Sequence, residues 1–136
     1  TYTELDKVPP NDVGVFDLAS DVGGMALNVA SYDLAVQARE TQPPYTSLVA
    51  TTSRDYQQRD YHHLVGTAEN TGDRGCEYVK VVAAFYDGEG NVVGVDFTYT
   101  ELDIVPAGGK SPFDLSASDA GDFEYYETWV SGRPVE

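Results

Sequence analysis

In "EYVKVVAAFYD" (Glu77–Asp87), Val79, Val81, Ala83 and Phe85 fall on one side of an extended chain, and Tyr78, Lys80, Val82, Ala84 and Tyr86 fall on the other. Side chains two apart share a face of a pleated strand, so this alternation predicts β structure. "DGEGN" (Asp87–Asn91) supplies glycines with flanking Asp and Asn for a tight turn. "VVGVDFTYTEL" (Val92–Leu102) then resumes with β-branched and aromatic residues, which makes a hairpin. Ahead of it, "SLVATTSRDYQQ" (Ser47–Gln58) and "YHHLVGTAEN" (Tyr61–Asn70) read as two more strands, the second ended by the turn "NTGD". Behind it, "VPAGG" (Val105–Gly109) turns the chain, and "KSPFDLSA" (Lys110–Ala117) and "FEYYETWV" (Phe123–Val130) complete the set, with Pro112 suited to an edge or a strand start. Short strands at roughly ten-residue spacing without an amphipathic helix predict an all-β, antiparallel sandwich over residues 47–130, with 131–136 as a tail.

The opening of the chain belongs to a different unit. "TYTELDKVPPNDVGVFDL" (Thr1–Leu18) and "TYTELDIVPAGGKSPFDL" (Thr98–Leu115) agree without a gap at Thr1, Tyr2, Thr3, Glu4, Leu5, Asp6, Val8, Pro9, Phe16, Asp17 and Leu18. Such self-similarity marks an internal repeat. With three extra loop residues in the first copy, "SYDLAV" (Ser31–Val36) falls over "YYETWV" (Tyr125–Val130). Nothing before Thr1 matches the stretch from Tyr45 to Phe97, so residues 1–36 are expected to be the C-terminal half of a first unit. That half would carry three strands: Thr1–Leu5, Val13–Ala19 and Asn28–Val36. "QARETQPPYT" (Gln37–Thr46), polar with paired prolines, is expected to be a linker over residues 37–46. Three strands with an unmatched apolar face (Phe16, Leu18, Tyr32, Leu34, Val36) should not stand alone. They are expected to associate with a second copy of the chain, with folding back onto the Phe123–Trp129 face as the alternative.

Composition narrows the function classes. Twenty-three Asp and Glu against eight Lys and Arg give a net charge of −15 and a pI near 4.1. Such a surface repels nucleic-acid phosphates and anionic lipid. The bias fits adaptation to concentrated salt, where a Debye length of about 3 Å at 1 M quiets self-repulsion, and the source is read as a halophile. No apolar run approaches the roughly 20 residues needed to span a bilayer as a helix. A single cysteine, Cys76, leaves no internal disulfide and no thiol pair for zinc; at the start of a strand it reads as a small buried side chain.

"LVGTAENTGDRGCEYVKVVAAFYDGEGNVVG" followed by "LDIVPAGGKSPFDL" resembles the FxLYD family, a small immunoglobulin-like module of exported proteins and lipoproteins in bacteria and archaea. The matching features are "VGTAENTG", "YVKV", "FYDGEGNVVG", "VPAGGKSPF" and "YYETWV", over roughly Leu48–Val130. Where the family name calls for Phe then Leu ahead of Tyr-Asp, this chain has Ala83 and Phe85. The resemblance implies an immunoglobulin-like sandwich without catalysis, displayed outside the cell or at its surface, with a lipid anchor through a removed N-terminal segment as one option. It implies no established ligand.

Four constellations bear on chemistry. His62 and His63 are adjacent in a strand and point to opposite faces, which prevents both from binding one ion. Asp87, Glu89 and Asn91 place hard oxygen ligands at alternate positions, a calcium candidate that lacks the complete loop pattern and that a turn explains equally well. Phe123, Tyr125 and Trp129 alternate with Tyr126, Thr128 and Val130; the latter set is expected to face the core and the former to form an outer aromatic patch. In the first copy Ser31, Asp33 and Ala35 stand where Tyr125, Glu127 and Trp129 stand in the second. Exposed rings call for a partner, and protein contact is favoured over a sugar because no polar clamp accompanies them. Finally, no nucleophile-and-base motif or phosphate loop is present, so the chain is read as a non-enzyme with no required cofactor. The reading is a display or protein-interaction module, with a calcium- or carbohydrate-binding sandwich as the rival.

Overall fold

The computed structural model describes residues 4–5, 7–9, 11–18, 31–40, 45–118 and 120–136. Among these residues seven strands form: β1 (Leu48–Gln58), β2 (Tyr61–Asn70), β3 (Cys76–Tyr86), β4 (Val92–Tyr99), β5 (Ile104–Val105), β6 (Lys110–Ala117) and β7 (Tyr125–Pro134). All pairings are antiparallel. One sheet runs β1-β2-β6, and the other is built on β3. Val82 pairs with both Phe97 and Trp129, and Cys76 with both Val105 and Pro134, so β4 and β5 share one side of β3 and β7 takes the other. Among the described residues there is no helix, and none therefore long and apolar enough to cross a membrane.

The alternation in β3 decides the core. Val79, Val81, Ala83 and Phe85 turn inward and meet Leu64 and Ala68 of β2 and Phe113, Leu115 and Ala117 of β6. β6 shows the pattern without interruption, every second residue from Ser111 to Ala117 being buried. Gly66 makes room within the β1-β2-β6 sheet: a Cβ there would collide with the Thr51 carbonyl oxygen of β1 and sit 2.8 Å from Phe113 Cζ of β6. Cys76 is fully buried, and burial followed by the nearby Glu77 carboxylate pushes its thiol above the ordinary value. It stays protonated, the state in which a cysteine is inert.

One end of the sandwich is fastened by Asn70, whose side chain is fully buried. Its Nδ2 donates to the carbonyls of Arg74 (2.7 Å) and Val105 (3.1 Å), while its Oδ1 accepts from Tyr45 Oη and the Gly72 N–H, both at 3.1 Å. Its backbone N–H and carbonyl pair with Gly109 O and Gly108 N. One amide thus ties together the β2–β3 turn, the β5–β6 turn and the segment entering β1.

Two expectations need correction. Residues 131–134, assigned to a tail, continue β7, because Ser131, Arg133 and Pro134 still pair with β3. The three strands expected within residues 1–36 are absent from the described part of that stretch: Val13–Leu18 and Ser31–Val36 have no ladder partners. Thr1–Thr3 and 19–30, which complete those three expected strands, lie outside the described residues. The physical reason is that β7 is a strand by virtue of pairing with β3, and its counterpart 31–36 has no such neighbour.

The repeat nevertheless survives in the backbone. Glu4 N–H donates to Val15 O (2.7 Å), and in the second copy Glu101 N–H donates to Pro112 O (3.0 Å). Asp12 N–H donates to Pro9 O, as Gly109 N–H does to Pro106 O. Asn11 has φ +61° and Gly108, its counterpart, +69°. Asn is the side chain that best tolerates this left-handed conformation, so the turn persists without the glycine. Replacing Asn70 by Leu strands two carbonyls, one N–H and the Tyr45 hydroxyl inside the protein. The urea midpoint should fall by the equivalent of about 3 kcal/mol, with the denaturant slope unchanged.

Candidate functional site

β3 carries apolar side chains on its outer face as well. Directly paired residues share a face, so the outer surface of this sheet runs in rows: Lys80 with Tyr99 and Ser131, Val82 with Phe97 and Trp129, Ala84 with Val95 and Glu127, Tyr86 with Tyr125. Val82 and Ala84 are fully buried there because Leu5 and Val15 pack against them. Leu5 and Val15 are buried in a second apolar cluster with Val82, Ala84, Tyr86, Val95 and Trp129. Lys80 pins this arm: its Nζ donates to the Glu4 carbonyl (2.6 Å) and to Glu4 Oε2 (3.1 Å), and sits 4.0 Å from the centre of the Phe97 ring. Burying the Leu5 and Val15 side chains contributes on the order of 1.5–3 kcal/mol each.

Of the three aromatics expected outside, Tyr125 and Trp129 do lie on the outer face, and Tyr126 and Val130 pack into the inner core as the alternation requires. Tyr125 stacks on Tyr86 with ring centres 4.9 Å apart and planes 10° from parallel. Phe123 is a correction. It precedes β7 and turns inward, tilted against Phe85 (4.9 Å) and edge-on to His62 (4.6 Å). Glu124 N–H bonds Tyr86 O, which starts the pairing only after Phe123 and frees that residue from the strand's parity.

The Asp87–Asn91 loop works as a turn. Asp87 Oδ1 accepts from the Glu89 and Asn91 N–H groups, both at 2.9 Å, and its Oδ2 accepts from Asn91 Nδ2 at 3.0 Å. The Asp87 carboxylate is thus engaged by the Glu89 and Asn91 backbone N–H groups and the Asn91 side-chain amide. Asn91's side-chain amide, then its backbone N–H, hold the Asp87 carboxyl below its ordinary 3.8. Among the described residues no group of three or more His, Cys, Asp or Glu is placed to hold a metal.

The histidines part as expected. His62 faces inward against Phe85 and Phe123, with Asp55 Oδ2 3.5 Å from its Nε2, while His63 faces out and stacks on Tyr56 at 4.8 Å. Ser116 Oγ and Asp114 Oδ1 both lie 3.0 Å from His63 Nδ1. In a nucleophilic triad the imidazole takes the hydroxyl proton at one ring nitrogen while the carboxylate holds the other, and here both groups lie on Nδ1.

Two further concavities can be placed among the described residues. A shallow one of ≈ 420 Å³ is lined by Arg54, Tyr56, Gln57 and Gln58. The larger, ≈ 590 Å³, is lined by residues including Tyr78, Tyr99, Leu102 and Ile104, where β3 exchanges β4 for β5 as its neighbour. Tyr78, with φ +52°, marks a bulge in the β3–β7 register. Its ring lies 4.9 Å from the Arg133 guanidinium, which bonds Glu77 Oε1 at 2.6 Å.

Lys80, Leu5 and Val15 were missed as site residues. Their signal was present in the repeat and in the apolar outer half of β3, but parity alone does not say which segment covers a face. No family model, curated protein or solved structure matches this chain.

A carboxyl whose folded pKa is depressed adds stability above its unfolded value, and loses it as pH falls through the folded one. The melting-temperature gap between the natural chain and Asp87→Ala should therefore be full at pH 7 and close below pH 3.8. Calcium at constant ionic strength should leave the natural chain's melting temperature unchanged, since every Asp87 oxygen already has a partner.

Proposed function

We propose that this chain is a non-catalytic interaction module: one complete sandwich carrying the closing half of a preceding sandwich, of the FxLYD-like kind found in exported and cell-surface proteins. The observation that carries the reading is a contrast between two copies of one sequence. Val105, Phe113 and Leu115 are buried to within 1% of full in the second copy, whereas their counterparts Val8, Phe16 and Leu18 are 39%, 40% and 60% exposed. Side chains that form a core in one copy and are left uncovered in the other are a surface meant for protein. Tyr32, Leu34 and Val36, exposed as well, extend that apolar set.

The partner is protein of matching apolar character, a second copy of this chain included. Trp129, which would have to lie open to stack on a sugar, is packed with Leu5 and Val15 instead. The acidic surface supports a saline, extracellular or cell-surface setting, with a lipid anchor on a removed upstream segment as one form of attachment.

Sedimentation velocity in about 1 M salt, where charge repulsion between copies is screened, tests the reading. The natural chain should gain mass as concentration rises from roughly 1 to 100 μM, a range typical of transient contacts. Phe16→Asp with Leu18→Asp should abolish the gain while leaving the far-ultraviolet circular dichroism intact. A natural chain that stays monomeric throughout overturns it.

A further inference from the structure

The hexapeptide Thr-Tyr-Thr-Glu-Leu-Asp occurs twice, at 1–6 and at 98–103. Within its first copy, Glu4 and Leu5 are docked. Glu4 bonds Lys80, and Leu5 and Val15 are buried against Val82, Ala84 and Trp129. Its second copy holds the same backbone, with the bond from Glu101 to Pro112 replacing that from Glu4 to Val15. There the equivalent side chains face outward: Leu102 is 46% exposed, and Glu101 and Pro112 are exposed too. One conformation of one sequence therefore appears once with its partner and once without.

We propose that the Glu101–Leu102–Pro112 surface is a docking site for the outer β3–β4–β7 face of a second copy of this chain, seated as Glu4, Leu5 and Val15 are seated within one copy. The proposal rests on the reading of the chain as an interaction module and names a surface distinct from Phe16 and Leu18. Charge agrees with it, since Glu101 is offered to Lys80, one of only 8 Lys and Arg on a chain of net charge −15. Specificity agrees as well. The first unit has Ser31, Asp33 and Ala35 where Tyr125, Glu127 and Trp129 build the receiving face, so the apolar floor belongs to the complete unit alone. The contact is heterologous, with different patches on the two copies, and therefore propagates rather than closing into a pair. In the natural chain the arm occupies the receiving face and competes at the high effective concentration of a tethered segment, on the order of millimolar.

Trp129 is the only tryptophan, so its fluorescence reports whether that face is covered. The full chain carrying Leu5→Asp and Val15→Asp should show red-shifted emission when dilute, as the arm lifts off. Emission should move back to the natural position as concentration rises in about 1 M salt, which screens repulsion between copies. Adding Leu102→Asp should weaken that return about tenfold or more, whereas adding Phe16→Asp and Leu18→Asp should leave it intact. Circular dichroism establishes that each variant is folded, and Leu5→Ala with Val15→Ala replaces the acidic pair should that pair unfold. Emission of a folded arm-released variant that ignores concentration, or a return that survives Leu102→Asp, overturns the docking proposal. Mass gain that depends on Phe16 and Leu18 without any return of Trp129 emission overturns this inference alone and leaves the module reading standing.

Discussion

A strand that is apolar on both faces must be covered twice. β3 is such a strand, with Val79, Val81, Ala83 and Phe85 committed to the space between the sheets and Val82 and Ala84 on the reverse side. The first requirement is met by β2 and β6. The second falls on the segment that carries Leu5 and Val15, and the arm, its lysine pin and the covered tryptophan all follow from it. An antiparallel sheet with one solvated face would have placed polar residues at Val82 and Ala84.

The sandwich itself was legible in the sequence because its strands are governed by period and punctuation. β6 begins and ends where "KSPFDLSA" does, and the Asp87–Asn91 turn closes as its composition dictates. β5 was missed because a two-residue bridge has no period to detect. Phe123 was misplaced because parity counting extended a strand two residues past the point where pairing starts. Asn70 was read only as the start of a turn, since no local pattern distinguishes an asparagine that caps a loop from one that joins three loops in the interior.

The first 36 residues show the limit of local reasoning more sharply. The repeat carried enough information to reproduce a left-handed residue and two backbone hydrogen bonds. It did not reproduce the strands, which are a relation between segments, and the partner for Ser31–Val36 is not among the described residues. The two copies thus share a turn and differ in burial: Leu5 is covered where Leu102 is open, and Phe16 is open where Phe113 is covered.

The Lys80 pin also has a mechanical meaning. A force drawn along the polypeptide from the arm to β7 reaches a joint made of one lysine and two aliphatic side chains before it reaches any antiparallel ladder. The exposed run from Ser31 to Glu40 is then available as slack once that joint opens. A chain so arranged lengthens under load by peeling its seam, while the ladders of β3 stay shut.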